Sequence, residues 1–173
     1  KLVPKLRYTA RILYLIYLCM TIIQLVLLLA GGMSFFDAIC TSFATAGTGG
    51  FGIKNDSLGS YSPYIQWVTA IFMLLFGINF NAFYLILFHK WKQAFKMEEV
   101  RAYILVIMAS TGIIFLNILN VFYKTGDALR HSFFQVTSII SSTGFSTADF
   151  DQWPQVSRAT LVLIMFIGAC AGS

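Results

Sequence analysis

Two stretches decide the fold: FDAICTSFATAGTGGFG at 36–52 and RHSFFQVTSIISSTGFS at 130–146. Each begins with a half-apolar segment that is too short to cross a bilayer and continues into a loop of glycine, serine and threonine. Aligning Gly50 with Gly144 places the two stretches 94 residues apart, and each lies beside long apolar runs. The chain therefore contains an internal repeat, which governs the interpretation of everything else.

The composition is that of a membrane protein. Hydrophobic residues make up 58% of the chain and charged residues 11%, whereas a soluble domain has about 25% charged residues. Charge-free apolar runs occupy 12–30, 65–88, 102–123 and 159–173. A helix needs about 20 residues to cross the bilayer core, so the first three runs predict spans. The fourth reaches Ser173, and we expect the chain to be a fragment of a longer protein.

The segments 34–46 and 128–141 are predicted to be re-entrant half-helices. Asp37 and Asp127 lie near their starts, where a carboxylate complements the positive end of a helix. Non-helical backbone at membrane depth is tolerated only where protein buries it or where it lines a watery cavity. We therefore expect each loop to line a cavity and predict an all-α integral membrane protein made of two helix–pore loop–helix units, 1–95 and 96–173, the second truncated in its last helix.

The basic residues give the topology. Eight precede the first span or lie between the second and third spans: Lys1, Lys5, Arg7, Arg11, Lys90, Lys92, Lys96 and Arg101. The other side has four: Lys54, Lys124, Arg130 and Arg158. The positive-inside rule makes the first side cytoplasmic. The net charge of +5 thus indicates anionic lipid as a partner and gives no reason to expect nucleic acid.

The first loop also matches G-x-G-x-x-G at 47–52, the pattern of a dinucleotide-binding turn. That fingerprint requires a preceding strand and an acidic residue about 20 residues later. Here a half-helix precedes the loop, and TAIFMLLF follows at that distance. A glycine-rich membrane turn explains one copy of the loop, but two copies at equivalent positions favour a shared function.

A cation filter accounts for both loops. Successive backbone carbonyls can replace the hydration shell of an ion, and glycine allows the backbone angles that align them. The negative end of each half-helix favours a cation in the cavity. The predicted ion-binding residues are Thr48, Gly49, Gly50, Phe51, Ser142, Thr143, Gly144 and Phe145. Such oxygen ligands suit K⁺ or Na⁺. A bound metal ion is predicted at these residues only, and no cofactor is required.

Nearly the whole chain resembles the second and third repeats of the TrkH/TrkG potassium-uptake proteins. The resemblance rests on the two pore-loop stretches and on two further segments, PKLRYTARILYLIYLCMT and SIISSTGFSTADFDQWP. Their superfamily includes KtrB and the plant HKT transporters. The resemblance implies a fragment of a four-repeat pseudo-tetrameric pore in the inner (plasma) membrane, a multi-pass protein for K⁺ uptake. Each unit would give one filter strand, with Gly50 and Gly144 as filter glycines.

The resemblance also implies a gate and partners. The expected gate residues are Gly168, Ala169, Cys170, Ala171, Gly172 and Ser173, although close helix packing also explains them. The partners implied are a cytosolic, TrkA-like ring of nucleotide-binding subunits and a second copy of the full-length chain. Each filter has one glycine followed by Phe, so K⁺ selectivity over Na⁺ stays open, as does coupling to H⁺ or Na⁺.

Several alternatives also stay open. A homo-oligomeric cation channel, a Na⁺-permeable protein, a K⁺–Na⁺ symporter and a membrane anchor without transport activity all fit the pattern. Asp149 and Asp151 could attract cations at the outer mouth or serve as loop or capping residues. Intramembrane asparagines are expected to face the bundle interior, and His89 and His131 to lie at the membrane interface, as are tryptophans near the ends of the runs. No constellation typical of an enzyme is present.

Overall fold

The computed structural model describes residues 2–47, 61–78, 80–120, 122, 124–141 and 153–171, with backbone alone at 2–6, 80, 81 and 168–171. Within these ranges the chain forms eight helices: α1 (Leu2–Ala30), α2 (Phe35–Ala46), α3 (Pro63–Phe76), α4 (Phe80–Leu87), α5 (Trp91–Lys96), α6 (Glu98–Ile118), α7 (Thr125–Ile140) and α8 (Gln155–Ala171). The described residues contain no β-strand, and the predicted all-α fold is confirmed.

The two halves of the chain pack in the same way. The short helix α2 contacts both α1 and α3, and the short helix α7 contacts both α6 and α8. One apolar cluster is formed by Leu28, Met33, Ala38, Ile65, Ala70, Met73 and Phe134, and another by Ile107, Ile114, Ile118, Ala128, Val136, Ile140, Trp153, Leu161 and Ile164. Phe134 of α7 belongs to the first cluster, so the second half-helix is packed into both halves.

Both predicted half-helices form. Ser34 is the N-cap of α2, and its Oγ accepts a hydrogen bond from the Asp37 amide at 3.2 Å. The second half-helix begins at Thr125, three residues before the predicted start at 128. The earlier start places Asp127 in the first turn, as Asp37 is placed in α2, where a carboxylate stabilises the exposed backbone amides.

By length and composition, two described segments can cross a membrane: Arg7–Ala30 and Glu98–Ile118. The apolar side of α1 is exposed over Tyr14, Leu15, Leu18, Ile22, Ile23 and Val26. The segments Phe35–Ala46, Pro63–Phe76 and Gln155–Ile167 are apolar but shorter. A shorter helix follows each long one, α2 after α1 and α7 after α6, as the repeat predicts.

The prediction of one uninterrupted span over 65–88 is wrong. Helix α3 ends at Phe76 and α4 begins at Phe80. A helix that ends in apolar surroundings leaves carbonyl groups that need donors. The Tyr103 hydroxyl of α6 donates to the Leu74 carbonyl at 2.9 Å, and the Gly77 amide donates back to Met73 and Leu74 at 3.2 Å. A carbonyl group at the interruption thus receives its hydrogen bond from a side chain of the other half of the chain.

Two helices end on a residue with left-handed backbone angles, Gly32 after α1 (φ 93°) and His89 after α4 (φ 60°). The amide after each reaches back across the last turn: Met33 donates to Leu28 at 3.2 Å and Lys90 to Leu85 at 2.8 Å. This is the Schellman arrangement. His89 therefore terminates α4, a role that the sequence pattern does not predict.

We expect Gly77→Ala to destabilise the protein, because a Cβ at this position would overlap the Tyr103 hydroxyl and lie 3.0 Å from Cζ. Displacing the tyrosine removes its bond to Leu74, at an expected cost of about 1–3 kcal/mol. The measurement is thermal unfolding in detergent. Gly112→Ala is the matched control, since nothing lies within 4 Å of its Cβ position. Equal melting temperatures for the two variants would contradict this account of the interruption.

Candidate ion-conduction site

The predicted filter residues directly follow the two half-helices, after Gly47 and Ser141. Thr48, Gly49, Gly50, Phe51, Ser142, Thr143, Gly144, Phe145, Asp149 and Asp151 lie outside the described residues. Of the predicted gate, Gly168, Ala169, Cys170 and Ala171 form the last turn of α8, and Gly172 and Ser173 lie outside the description. The described residues therefore comprise the half-helices that precede the candidate filter loops and the helices that pack against them.

The carboxyl ends of both half-helices retain their partial negative charge. Gly47 donates its amide to the Phe43 carbonyl at 2.9 Å, and Ser141 donates to the Thr137 carbonyl at 3.1 Å. Neither helix has a basic residue in its last turn. A cation beyond these ends would be stabilised by the negative ends of the helix dipoles.

The amino ends of the half-helices are held by their carboxylates. Asp37 accepts a hydrogen bond from the Tyr61 hydroxyl at 2.9 Å. Asp127 pairs with the Arg130 guanidinium at 2.9 Å. Both helices thus have a hydrogen-bonded carboxylate in their first turn and no basic residue in their last turn.

Polar side chains fill the packing around the half-helices. The Gln24 amide of α1 donates to the Thr45 hydroxyl at 3.2 Å, and Thr45 donates to the Thr41 carbonyl at 2.7 Å. In α7, Ser132 donates to the Ala128 carbonyl at 2.7 Å. Hydroxyl groups that bond to the backbone of their own helix can be buried without leaving a donor unsatisfied.

Arg130 and His131 have roles that the sequence analysis missed. The charge pattern predicts only that Arg130 is a basic residue of the outer side, whereas its Nε donates to Gln66 of α3 at 2.6 Å. His131 was expected at the membrane interface but is buried, and its ring stacks on Phe122 with centroids 4.6 Å apart. In this re-entrant segment, which does not span the membrane, burial and then the adjacent guanidinium lower the pKa of His131 to about 4, against an opposing effect of Asp127. A signal was present in principle: Gln66 is a polar residue inside an apolar run.

Comparison with known proteins identifies the family. The family model described as TrkH, cation transport protein, matches residues 1–173. The chain belongs to the TrkH family of cation transport proteins. It is 36% identical over 180 residues to the Trk system potassium uptake protein TrkH of Vibrio parahaemolyticus, covering 100% of this chain and 37% of that protein. It is 32% identical over 179 residues to TrkG of Escherichia coli, covering 100% and 36%.

A solved structure agrees with this assignment. The crystal structure of the potassium transporter TrkH from Vibrio parahaemolyticus matches with a TM-score of 0.85 at 31% identity, covering 93% of this chain and 36% of that one. The TrkH-family chain therefore spans little more than a third of the length of the relatives that it matches. The matching family is one of cation transport proteins, and the relatives are named as potassium uptake proteins and a potassium transporter, which agrees with the prediction that the chain is not an enzyme.

Among the intramembrane asparagines, Asn117 has a defined position in this TrkH-family chain. Its Oδ1 accepts from the Ser157 amide at 3.2 Å and from the Ser157 hydroxyl at 2.6 Å. Asn117 of α6 thus caps the first turn of α8. The expectation that it faces the bundle interior is confirmed, and the bond connects α6 and α8, the two helices that flank α7.

We expect Asn117→Ala to lower stability by about 1–3 kcal/mol, because Ser157 is fully buried and would lose its acceptor. Asn117→Asp keeps the acceptor oxygen and is expected to cost less. Melting temperatures of the purified protein measure both changes. The capping role fails if the aspartate variant is as destabilised as the alanine variant.

Proposed function

We propose that this chain supplies two of the four filter strands of a K⁺ uptake protein in the inner (plasma) membrane. The observation that supports this most directly is the pair of half-helices, which have no basic residue in their last turns and precede matching Gly-Phe loops. The related proteins are named potassium uptake proteins. Backbone carbonyls and hydroxyls of the two loops, 48–51 and 142–145, coordinate the dehydrated ion.

The remaining two strands come from other units. The relatives are nearly three times as long as this chain, which supports two further helix–pore loop–helix units in the same polypeptide. The alternative is a homo-oligomeric channel in which copies of this two-unit segment complete the ring. The sequence of the complete protein distinguishes the two arrangements directly.

Entry and exit of the ion use the groups at the two ends of the filter. Asp149 and Asp151 concentrate cations at the outer mouth. The segment 168–173 at the end of α8 forms the gate below the filter. The units 1–95 and 96–173 act as equivalent supports, and the basic side of the membrane segment contacts anionic lipid. A TrkA-like nucleotide-binding ring and a second copy of the full-length chain are the proposed protein partners, suggested by the name Trk system.

The proposal predicts that Gly50→Ala and Gly144→Ala together reduce K⁺ uptake by roughly tenfold or more. A Cβ disfavours left-handed backbone by about 1–2 kcal/mol per residue, and tenfold corresponds to about 1.4 kcal/mol. The assay is growth and ⁸⁶Rb⁺ uptake in a potassium-uptake-deficient bacterium that expresses the complete protein. Gly112→Ala is the control and is expected to retain uptake.

Four outcomes decide among the candidates. Undiminished uptake in the double variant, at normal membrane abundance, contradicts the filter. Absence of uptake by the unaltered complete protein favours a membrane anchor. Uptake of Na⁺ as effective as uptake of K⁺ favours the Na⁺-permeable alternative, and Na⁺-dependent K⁺ uptake favours a symporter.

A further inference from the structure

Arg130 of α7 is bonded on three sides. Its guanidinium donates from Nε to Gln66 Oε1 at 2.6 Å and from Nη1 to Asp127 Oδ1 at 2.9 Å, and Nη2 lies 3.3 Å from His131 Nε2. A guanidinium can only donate, so His131 Nε2 must be an acceptor and the ring neutral. The side chain of Arg130 is 12% exposed, which strengthens each of these contacts relative to a solvated ion pair.

Gln66 continues the connection into the other half of the chain. It is almost fully buried on α3, and because its Oε1 accepts from Arg130, its Nε2 is the donor to the Tyr61 carbonyl at 3.3 Å. The Tyr61 hydroxyl in turn donates to Asp37 at 2.9 Å. These residues, Asp37, Tyr61, Gln66, Arg130 and Asp127, form a polar tie between the first turns of α2 and α7.

The polar tie is directional, whereas the apolar contacts between α3 and α7 are not. Trp67 and Phe133 pack with ring centroids 5.6 Å apart, but apolar contacts are not directional. Hydrogen bonds restrict both distance and angle. The N-cap of α7, Lys124, makes no side-chain capping bond, whereas Ser34 caps α2. The start of α7 therefore depends on Asp127 and Arg130.

We propose that Arg130 is a positioning residue that, through Gln66, fixes α7 relative to α2 and so sets discrimination between K⁺ and Na⁺ at the loops after the two helices. This inference rests on the proposed function. Ions of different radius are distinguished by the placement of coordinating oxygens, and a half-helix that rotates or slides carries its loop with it. The charge of Arg130 is balanced by Asp127, so its effect is geometric.

The test compares K⁺ and Na⁺ transport by the complete protein in proteoliposomes. Arg130→Gln and Gln66→Leu are each expected to lower the ratio of K⁺ to Na⁺ kcat/KM by about threefold or more, where tenfold is about 1.4 kcal/mol. The double variant should match the single variants, because both remove the same bond. Gln66→Glu keeps the acceptor for Arg130 but loses the donor to the Tyr61 carbonyl, so it is expected to lower the ratio by less than Gln66→Leu does.

Arg158→Gln is the matched control. Arg158 is exposed on α8 and has the same charge on the same side of the membrane, so its removal should leave the ratio unchanged. An unchanged ratio in Arg130→Gln, or an equal fall in Arg158→Gln, overturns the inference. If Arg130→Gln does not fold, as judged by thermal unfolding, the ratio in Gln66→Leu decides. Absence of K⁺ transport by the unaltered protein overturns the proposed function itself, and this inference with it.

Discussion

A helix that ends inside a membrane leaves backbone groups that lipid cannot satisfy, and this constraint shapes the whole chain. Helix α7 meets it by being enclosed: it contacts α3, α6 and α8. Its buried side chains include Ser132, Gln135, Thr137 and Ser138. Ser132 and Thr137 donate to carbonyl groups of α7 itself, and the neighbouring helices supply the packing that such a buried helix needs.

The same requirement explains the contacts between helices. Tyr103 satisfies a carbonyl where α3 is interrupted, and Asn117 satisfies an amide where α8 begins. Arg130 and Gln66 join the starts of the half-helices. In each case a side chain from one helix completes the backbone or the charge of another, so the polar bonds fix the helices relative to one another while the apolar clusters supply most of the packing energy.

The repeat, the half-helices and the family resemblance could be predicted because they depend on local pattern: apolar runs of membrane length, short segments between them, and two Gly-Phe loops at equivalent positions. The interruption at Gly77 could not, because a glycine within an apolar run is compatible with a continuous helix, and the Tyr103 hydroxyl that supports the break comes from a residue 29 positions from Leu74.

Long-range contacts limited the prediction of the site in the same way. Nothing local to Arg130 identifies Gln66 as its partner, since 64 positions separate them. Trp153 lies beside an apolar run, as an interfacial tryptophan would, yet it is buried in the second apolar cluster. His131 is likewise expected at the membrane interface from its position but is buried. For such residues the packing of other helices, rather than the local sequence, determines burial.

In the proposed function, the loops after α2 and α7 coordinate a dehydrated cation together. The most direct measurement is anomalous diffraction from crystals of the complete protein grown with Tl⁺, which substitutes for K⁺ and is located by its own scattering. We expect Tl⁺ density on a common axis, bounded by backbone oxygens of 48–51 and 142–145. Bound Tl⁺ elsewhere in the molecule, with these two loops facing away from each other, would contradict it.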